Sequence, residues 1–151
     1  MTVFPKSIRG SKTPGMPTVG TNAVLWNEKR NVLLTKRADV GLWCLPGGMV
    51  EIGETVSQTI VRELREEIKC TVAVERLIGV YSEPNVRLTP PAKYFLIVVC
   101  VQVRLLHGEP DIGDEVLDVG YFPIDNLPPM VPNQSLRIQH AADDGRPAVV
   151  M

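Results

Sequence analysis

Little in this sequence supports a site built on cysteine or histidine. The three cysteines, Cys44, Cys70 and Cys100, are odd in number, and no two have the spacing of metal ligands. Each sits among apolar neighbours, so they read as small buried hydrophobes of a reducing cytoplasm. Neither a disulfide framework nor a thiolate metal centre is expected. The two histidines, His107 and His140, stand alone, without the serine or cysteine motif that nucleophilic catalysis needs. Charge of one sign is also missing. A net charge of −1 gives no electrostatic footprint for a nucleic-acid polymer or an anionic membrane. The longest apolar run, FLIVVCVQV at 95–103, is too short to cross a bilayer. The N-terminal stretch MTVFPKSIRGSK has no apolar signal core, so a cytoplasmic location is expected. There is no internal repeat, low-complexity tract or domain boundary.

What is present suits one globular domain. In 151 residues, 44% are hydrophobic and 22% charged, enough for a real core. The expected domain is 1–151, with its core at about 17–142. TVGTNAVLW (18–26) and NVLLTKR (31–37) read as strands joined by a polar turn. Residues 38–54 hold four glycines and a proline and read as loop, with a short strand at 43–46. The one strong helix starts at a capping box, Thr55 with Gln58, and carries Val56, Ile60, Val61, Leu64 and Ile68 at helical spacing. Strands are expected at 71–82, 93–106 and 116–124, with a loop at 83–92. A linker at 126–133 precedes a short helix at 134–142. The order β-β-loop-α-β-β-β-α lacks the regular alternation of a doubly wound fold and points to an α/β (α+β) domain, a mixed sheet with helices on both faces.

The helix carries RELREE at 62–67. At 100° per residue, Glu63 and Glu67 share one face and Glu66 lies beside both. On a helical wheel Glu67 falls within the apolar arc and Glu63 at its edge. Charge there is costly unless paired or bound to a metal. Arg62 and Arg65 could neutralise part of the cluster, so helical geometry alone leaves a solvated face and a metal site both open. The glycine loop just upstream tips the balance. Clustered carboxylates take hard divalent cations, and a Gly-Gly backbone can offer a carbonyl and leave room for a phosphate chain.

GGMVEIGETVSQTIVRELREEIKC (47–70) resembles the signature box of the Nudix hydrolases. The match takes Gly48, Glu54, Arg62, Glu63, Leu64, Glu66, Glu67 and Cys70 at the box spacing. From ordinary residue usage, six fixed charged or glycine positions would coincide on the order of once in ten million placements. Lys69 stands where the box has a glycine that ends the helix in a left-handed turn. GLWCLPGG, LIGVYSEP and DEVLDVGYFPIDNLPP are similar to flanking segments of a group that includes ADP-ribose pyrophosphatases.

The resemblance implies a Nudix-type α/β/α sandwich around a central mixed sheet. It implies that Glu63, Glu66, Glu67 and the Gly47 carbonyl hold Mg²⁺ (or Mn²⁺). Glu54 and Arg62 would pair and orient loop and helix. Water activated at the metal would attack the phosphoanhydride of a nucleoside diphosphate linked to another group, such as ADP-ribose or a similar nucleotide sugar. The general base in such enzymes comes from a helix glutamate or a later loop; here the later candidates are Asp114, Glu115 and Asp118, with Glu115 best spaced. Substrate contacts would come from Gly47 and Gly48, from Arg87, and from Trp43 lining the nucleotide site. Pro84 has the placement seen in ADP-ribose-hydrolysing members. Two alternatives stand beside this reading: a (d)NTP pyrophosphatase, and a non-catalytic nucleotide-sensing module. The expected partner is a small nucleotide, not a polymer or a membrane. Many members are homodimers, which composition here does not demand.

Overall fold

In a computed structural model, residues 17–88 and 92–151 are described, with side chains at 84–94 outside the description. Among the described residues, seven strands and two α-helices follow in order: β1 (Thr18–Leu25), β2 (Val32–Arg37), β3 (Trp43–Cys44), α1 (Val56–Ile68), β4 (Thr71–Leu88), β5 (Ala92–His107), β6 (Val116–Phe122), α2 (Gln134–Ala142) and β7 (Val149–Val150). They form a mixed four-stranded sheet, β1-β5-β4-β7, and an antiparallel three-stranded sheet, β3-β2-β6. In the larger sheet β1 runs parallel to β5, and β4 runs antiparallel to β5.

Alternation along the strands sorts the core into two sides. On β1, Ala23 and Leu25 join Ile60, Leu64 and Ile68 of α1, together with Leu33, Val101 and Val103. Val24 between them points the other way, to Ile138 and Ala141 of α2 with Leu34, Ile78, Tyr81 and Val98. The helices therefore cover opposite sides, as the element order predicted. Cys44, Cys70 and Cys100 are buried thiols. No described helix is long and apolar enough to cross a membrane.

Two expectations about boundaries need correcting. The stretch 83–92 is not a plain loop, because β4 continues to Leu88 and β5 starts at Ala92. Pro84 cannot donate a ladder hydrogen bond, and the register slips between Glu83 and Val86 to absorb it. The strand expected at 43–46 is only Trp43–Cys44, since Leu45 and Pro46 bond instead to α2 and β1. The tail forms β7, which pairs with β4 at Gly79 and Val80.

Both ends of α1 are set locally. Thr55 caps the start, its hydroxyl accepting from the Gln58 N–H at 3.2 Å, while the Gln58 side chain accepts from the Thr55 N–H at 2.8 Å. At the other end Lys69 adopts φ 59° and ψ 28°, the left-handed conformation that glycine takes without strain. A side chain there costs about 1 kcal/mol. Lys69→Gly is expected to raise the melting temperature by a few degrees, about 2–4 °C per kcal/mol for a chain of this size. Calorimetry checks this, and a lower melting temperature would contradict it.

Candidate active site

The segment Pro46–Gly48 is laid between β1 and α1 by its own backbone. Ala23 N–H donates to the Pro46 carbonyl (2.8 Å) and Thr21 N–H to the Gly48 carbonyl (2.8 Å). The Thr21 hydroxyl bonds the same carbonyl at 2.9 Å. Across the gap, Gly47 N–H donates to Glu67 Oε2 at 3.0 Å. This close approach requires both glycines. Gly47 has φ 147°, and a Cβ on it would stand 2.1 Å from the Thr21 carbonyl oxygen. A Cβ on Gly48 would stand 2.2 Å from Glu63 Oε1.

The loop also changes which glutamate is closed off. The wheel put Glu67 inside the apolar arc and Glu63 at its edge. In the structure Glu63 is 5% exposed, because the Gly48 backbone lies on its carboxylate, while Glu67 is only partly buried. A wheel describes the helix alone and cannot register a covering loop. Burial raises the Glu63 carboxyl above its ordinary range despite Arg62. Burial, and then the Glu63 charge, push Glu67 well above it. Glu66 is more open, with its side chain 49% exposed.

Arg62 ties the site to the loop. Its Nε donates to Glu54 Oε1 at 2.6 Å and its Nη2 to Glu54 Oε2 at 3.0 Å. Nη1 donates to Glu63 Oε1 at 2.8 Å, and Nη2 reaches the Met49 carbonyl at 3.2 Å. Glu54 also accepts from the Thr59 hydroxyl (2.9 Å) and the Glu51 N–H (3.1 Å). Arg62 holds the Glu54 carboxyl down to about 2. Glu54 therefore stabilises the fold while ionised: its contribution is full above the ordinary carboxylate range near 4.5 and is lost as pH falls towards about 2. Glu54→Gln should flatten acid unfolding across that window, as followed by circular dichroism. An unchanged acid limb would contradict the pairing.

The later acidic loop docks on the end of α1. Asp114 N–H donates to the Glu66 carbonyl (2.8 Å), Gly113 N–H to that of Glu67 (2.9 Å) and Asp111 N–H to that of Ile68 (3.1 Å). Gly113 was not singled out from sequence, yet a Cβ there would meet the Glu66 carbonyl oxygen at 2.0 Å. This docking brings Glu115, in a left-handed conformation at φ 61°, within electrostatic reach of Glu67. Asp114, Glu115 and Asp118 are all exposed, and Asp118 accepts its neighbour Val119's N–H at 2.8 Å. Arg37, also missed from sequence, grips Asp39 at 2.7 Å and counters the charge of Glu67.

Of the two expected substrate side chains, only that of Trp43 falls within the described residues. Trp43 packs edge-on to Phe122, with ring centroids 4.7 Å apart, against the core on the α2 side. The Arg87 side chain lies outside the described residues. His140 accepts or donates one bond with the Tyr81 hydroxyl at 2.8 Å, on the α2 side of the sheet.

The donor set suits a hard divalent cation. Three carboxylates lie along one helix beside the glycine loop; two of them are pushed towards protonation by burial, and a cation would offset that cost. The Gly48 cradle brings the loop backbone against the Glu63 carboxylate. Among the described residues no three such side chains converge on one point as they stand. Arg62, 2.8 Å from Glu63 and 3.5 Å from Glu66, occupies the space between those two.

A sheet system flanked by two helices, with a glycine loop folded over a carboxylate-bearing helix, is a Nudix arrangement. Residues 16–141 match the NUDIX domain, and the chain belongs to that family. It is 34% identical over 115 residues to an ADP-ribose pyrophosphatase of Methanocaldococcus jannaschii, across 74% of this chain and 65% of that protein. It is 45% identical over 70 residues to a Bacillus subtilis protein described as a putative 8-oxo-dGTP diphosphatase, across 46% of this chain and 47% of that protein. The matches thus span less than two thirds of either relative. The fold is similar to that of an ADP-ribose pyrophosphatase crystal structure from Streptococcus suis, with a TM-score of 0.72 and 26% identity over 90% of this chain and 100% of that one.

Proposed function

We propose that the protein is a divalent-metal-dependent pyrophosphohydrolase that cleaves the phosphoanhydride of ADP-ribose or a similar nucleotide sugar. The observation that carries this reading is the Gly47 N–H bond to Glu67. It holds a side-chain-free backbone beside three carboxylates, which leaves room for a diphosphate. Glu63, Glu66, Glu67 and the Gly47 carbonyl would hold Mg²⁺ or Mn²⁺. When bound, the cation neutralises phosphate charge and makes water more acidic.

The chain's own residues do the rest. Arg62 keeps the loop and helix in register through Glu54 and Met49. Glu115 takes the proton from the attacking water, a role its proximity to Glu67 supports; a helix glutamate is the alternative base. Arg87 and Trp43 are proposed substrate contacts, Arg87 for a phosphate or the terminal ribose and Trp43 for the nucleotide. The Methanocaldococcus relative supports ADP-ribose. The Bacillus relative supports a second reading, a (d)NTP pyrophosphatase.

A substrate panel with Mg²⁺, read by mass spectrometry, separates these. ADP-ribose, nucleotide sugars, dinucleotide polyphosphates, and canonical and oxidised (d)NTPs would be compared. AMP plus a sugar phosphate is the expected result. A nucleoside monophosphate plus pyrophosphate would favour the second reading. Binding without turnover would overturn both in favour of a sensor.

A further inference from the structure

From the far side of the fold, we infer that Gln134 is a positioning residue for the glycine loop, a role that rests on the proposed metal-dependent hydrolysis. The loop is held from β1 by Thr21 and Ala23 and from α1 by Glu67. A further bond comes from α2. Leu45 N–H, two residues before Gly47, donates to Gln134 Oε1 at 2.6 Å. Leu45 is 2% exposed and Gln134 8%. A buried N–H that loses its acceptor pays the full desolvation cost, so this bond strongly favours one position of the loop.

The surrounding chain is built to deliver that oxygen. Residues 129–131 run beside β3, with Trp43 N–H donating to the Pro129 carbonyl (3.0 Å) and Val131 N–H to the Trp43 carbonyl (2.9 Å). Asn133 then turns the chain at φ 71° and makes no side-chain cap bond. Gln134, the first residue of α2, directs its oxygen away from its own helix to Leu45. One turn on, buried Arg137 fixes α2 to the sheet, donating to Asn22 at 2.5 Å and to Glu83. Asn22 follows Thr21, which holds the Gly48 carbonyl. Gly47 is thus fixed between two helices: Glu67 takes its N–H directly, and Gln134 holds the Cys44–Leu45 peptide just upstream. Such an outer contact orients a ligating group without touching substrate.

The test compares Gln134→Leu, which removes the acceptor, Gln134→Asn, which shortens its reach, and Gln134→Glu, which keeps an oxygen in place. Ile138→Val, a core change on the same helix, controls for lost stability. Amide hydrogen exchange at Leu45 and Gly47, Mn²⁺ affinity by calorimetry, and kcat and KM on ADP-ribose are measured for each. In Gln134→Leu and Gln134→Asn, exchange should speed up at both amides, and Mn²⁺ affinity and kcat should fall about 10- to 100-fold. KM should change little, and Gln134→Glu and Ile138→Val should stay near wild type. Unchanged exchange and Mn²⁺ affinity in Gln134→Leu and Gln134→Asn would overturn the assignment, as would a Gln134→Glu protein that behaves like Gln134→Leu. If the wild-type protein turned over no substrate, the functional reading would fail. The exchange data would still decide whether Gln134 positions the loop.

Discussion

Glu67→Gln is expected to lower turnover by about 10²- to 10⁴-fold while the fold survives. Glutamine keeps the shape and an oxygen that can still accept the Gly47 N–H, now at 3.0 Å. What disappears is a charge that burial and Glu63 both disfavour. Stability should therefore hold or rise, because a repelled, partly desolvated carboxylate has become neutral. Activity and stability moving apart is the signature of a group kept for chemistry at a structural cost. Kinetics alongside thermal melts check this. Near-normal turnover would remove Glu67 from the metal set, and a large fall in melting temperature would make it a structural residue.

Gly47→Ala should fail differently, by losing stability and turnover together. The new Cβ would meet backbone, 2.1 Å from the Thr21 carbonyl oxygen and 2.8 Å from its carbon, and φ 147° suits glycine alone. Neither atom can move without shifting β1, so a loss of about 3 kcal/mol or more is expected. For this length that corresponds to roughly 6–12 °C in melting temperature. Gly48→Ala should be milder in stability, because its Cβ meets the Glu63 carboxylate rather than backbone. It should still abolish turnover, since Glu63 must leave its place beside Arg62. Paired melts and rate measurements on the two variants test that ordering; equal losses of stability would contradict it.

Local signals in the sequence were the most legible. Thr55 and Gln58 form the capping box that starts α1, and Lys69, at the glycine position of the box, takes the left-handed turn. The pairing of Arg62 with Glu54 lies within one turn-and-loop segment and is equally local. What the sequence could not reveal depends on segments far apart in the chain. The covering of Glu63 needs the loop to fold over α1. The docking of Gly113 on the Glu67 carbonyl and of Gln134 on Leu45 joins residues 46 and 89 positions apart. Gly113 left a faint trace as a glycine among acids in DIGDE; Gln134 left none. The extension of β4 past Pro84 was hidden because proline reads as a strand breaker, while the register slip that accommodates it is set by the partner strand.

In the proposed function, the glycine loop and the RELREE helix form a divalent-cation site for phosphoanhydride hydrolysis. The most direct measurement is cleavage of ADP-ribose by the metal-stripped protein, followed by mass spectrometry as Mg²⁺ is restored. No product is expected in chelator, then AMP and a sugar phosphate in equal amounts as Mg²⁺ returns. Cleavage that proceeds at full rate in chelator would contradict it.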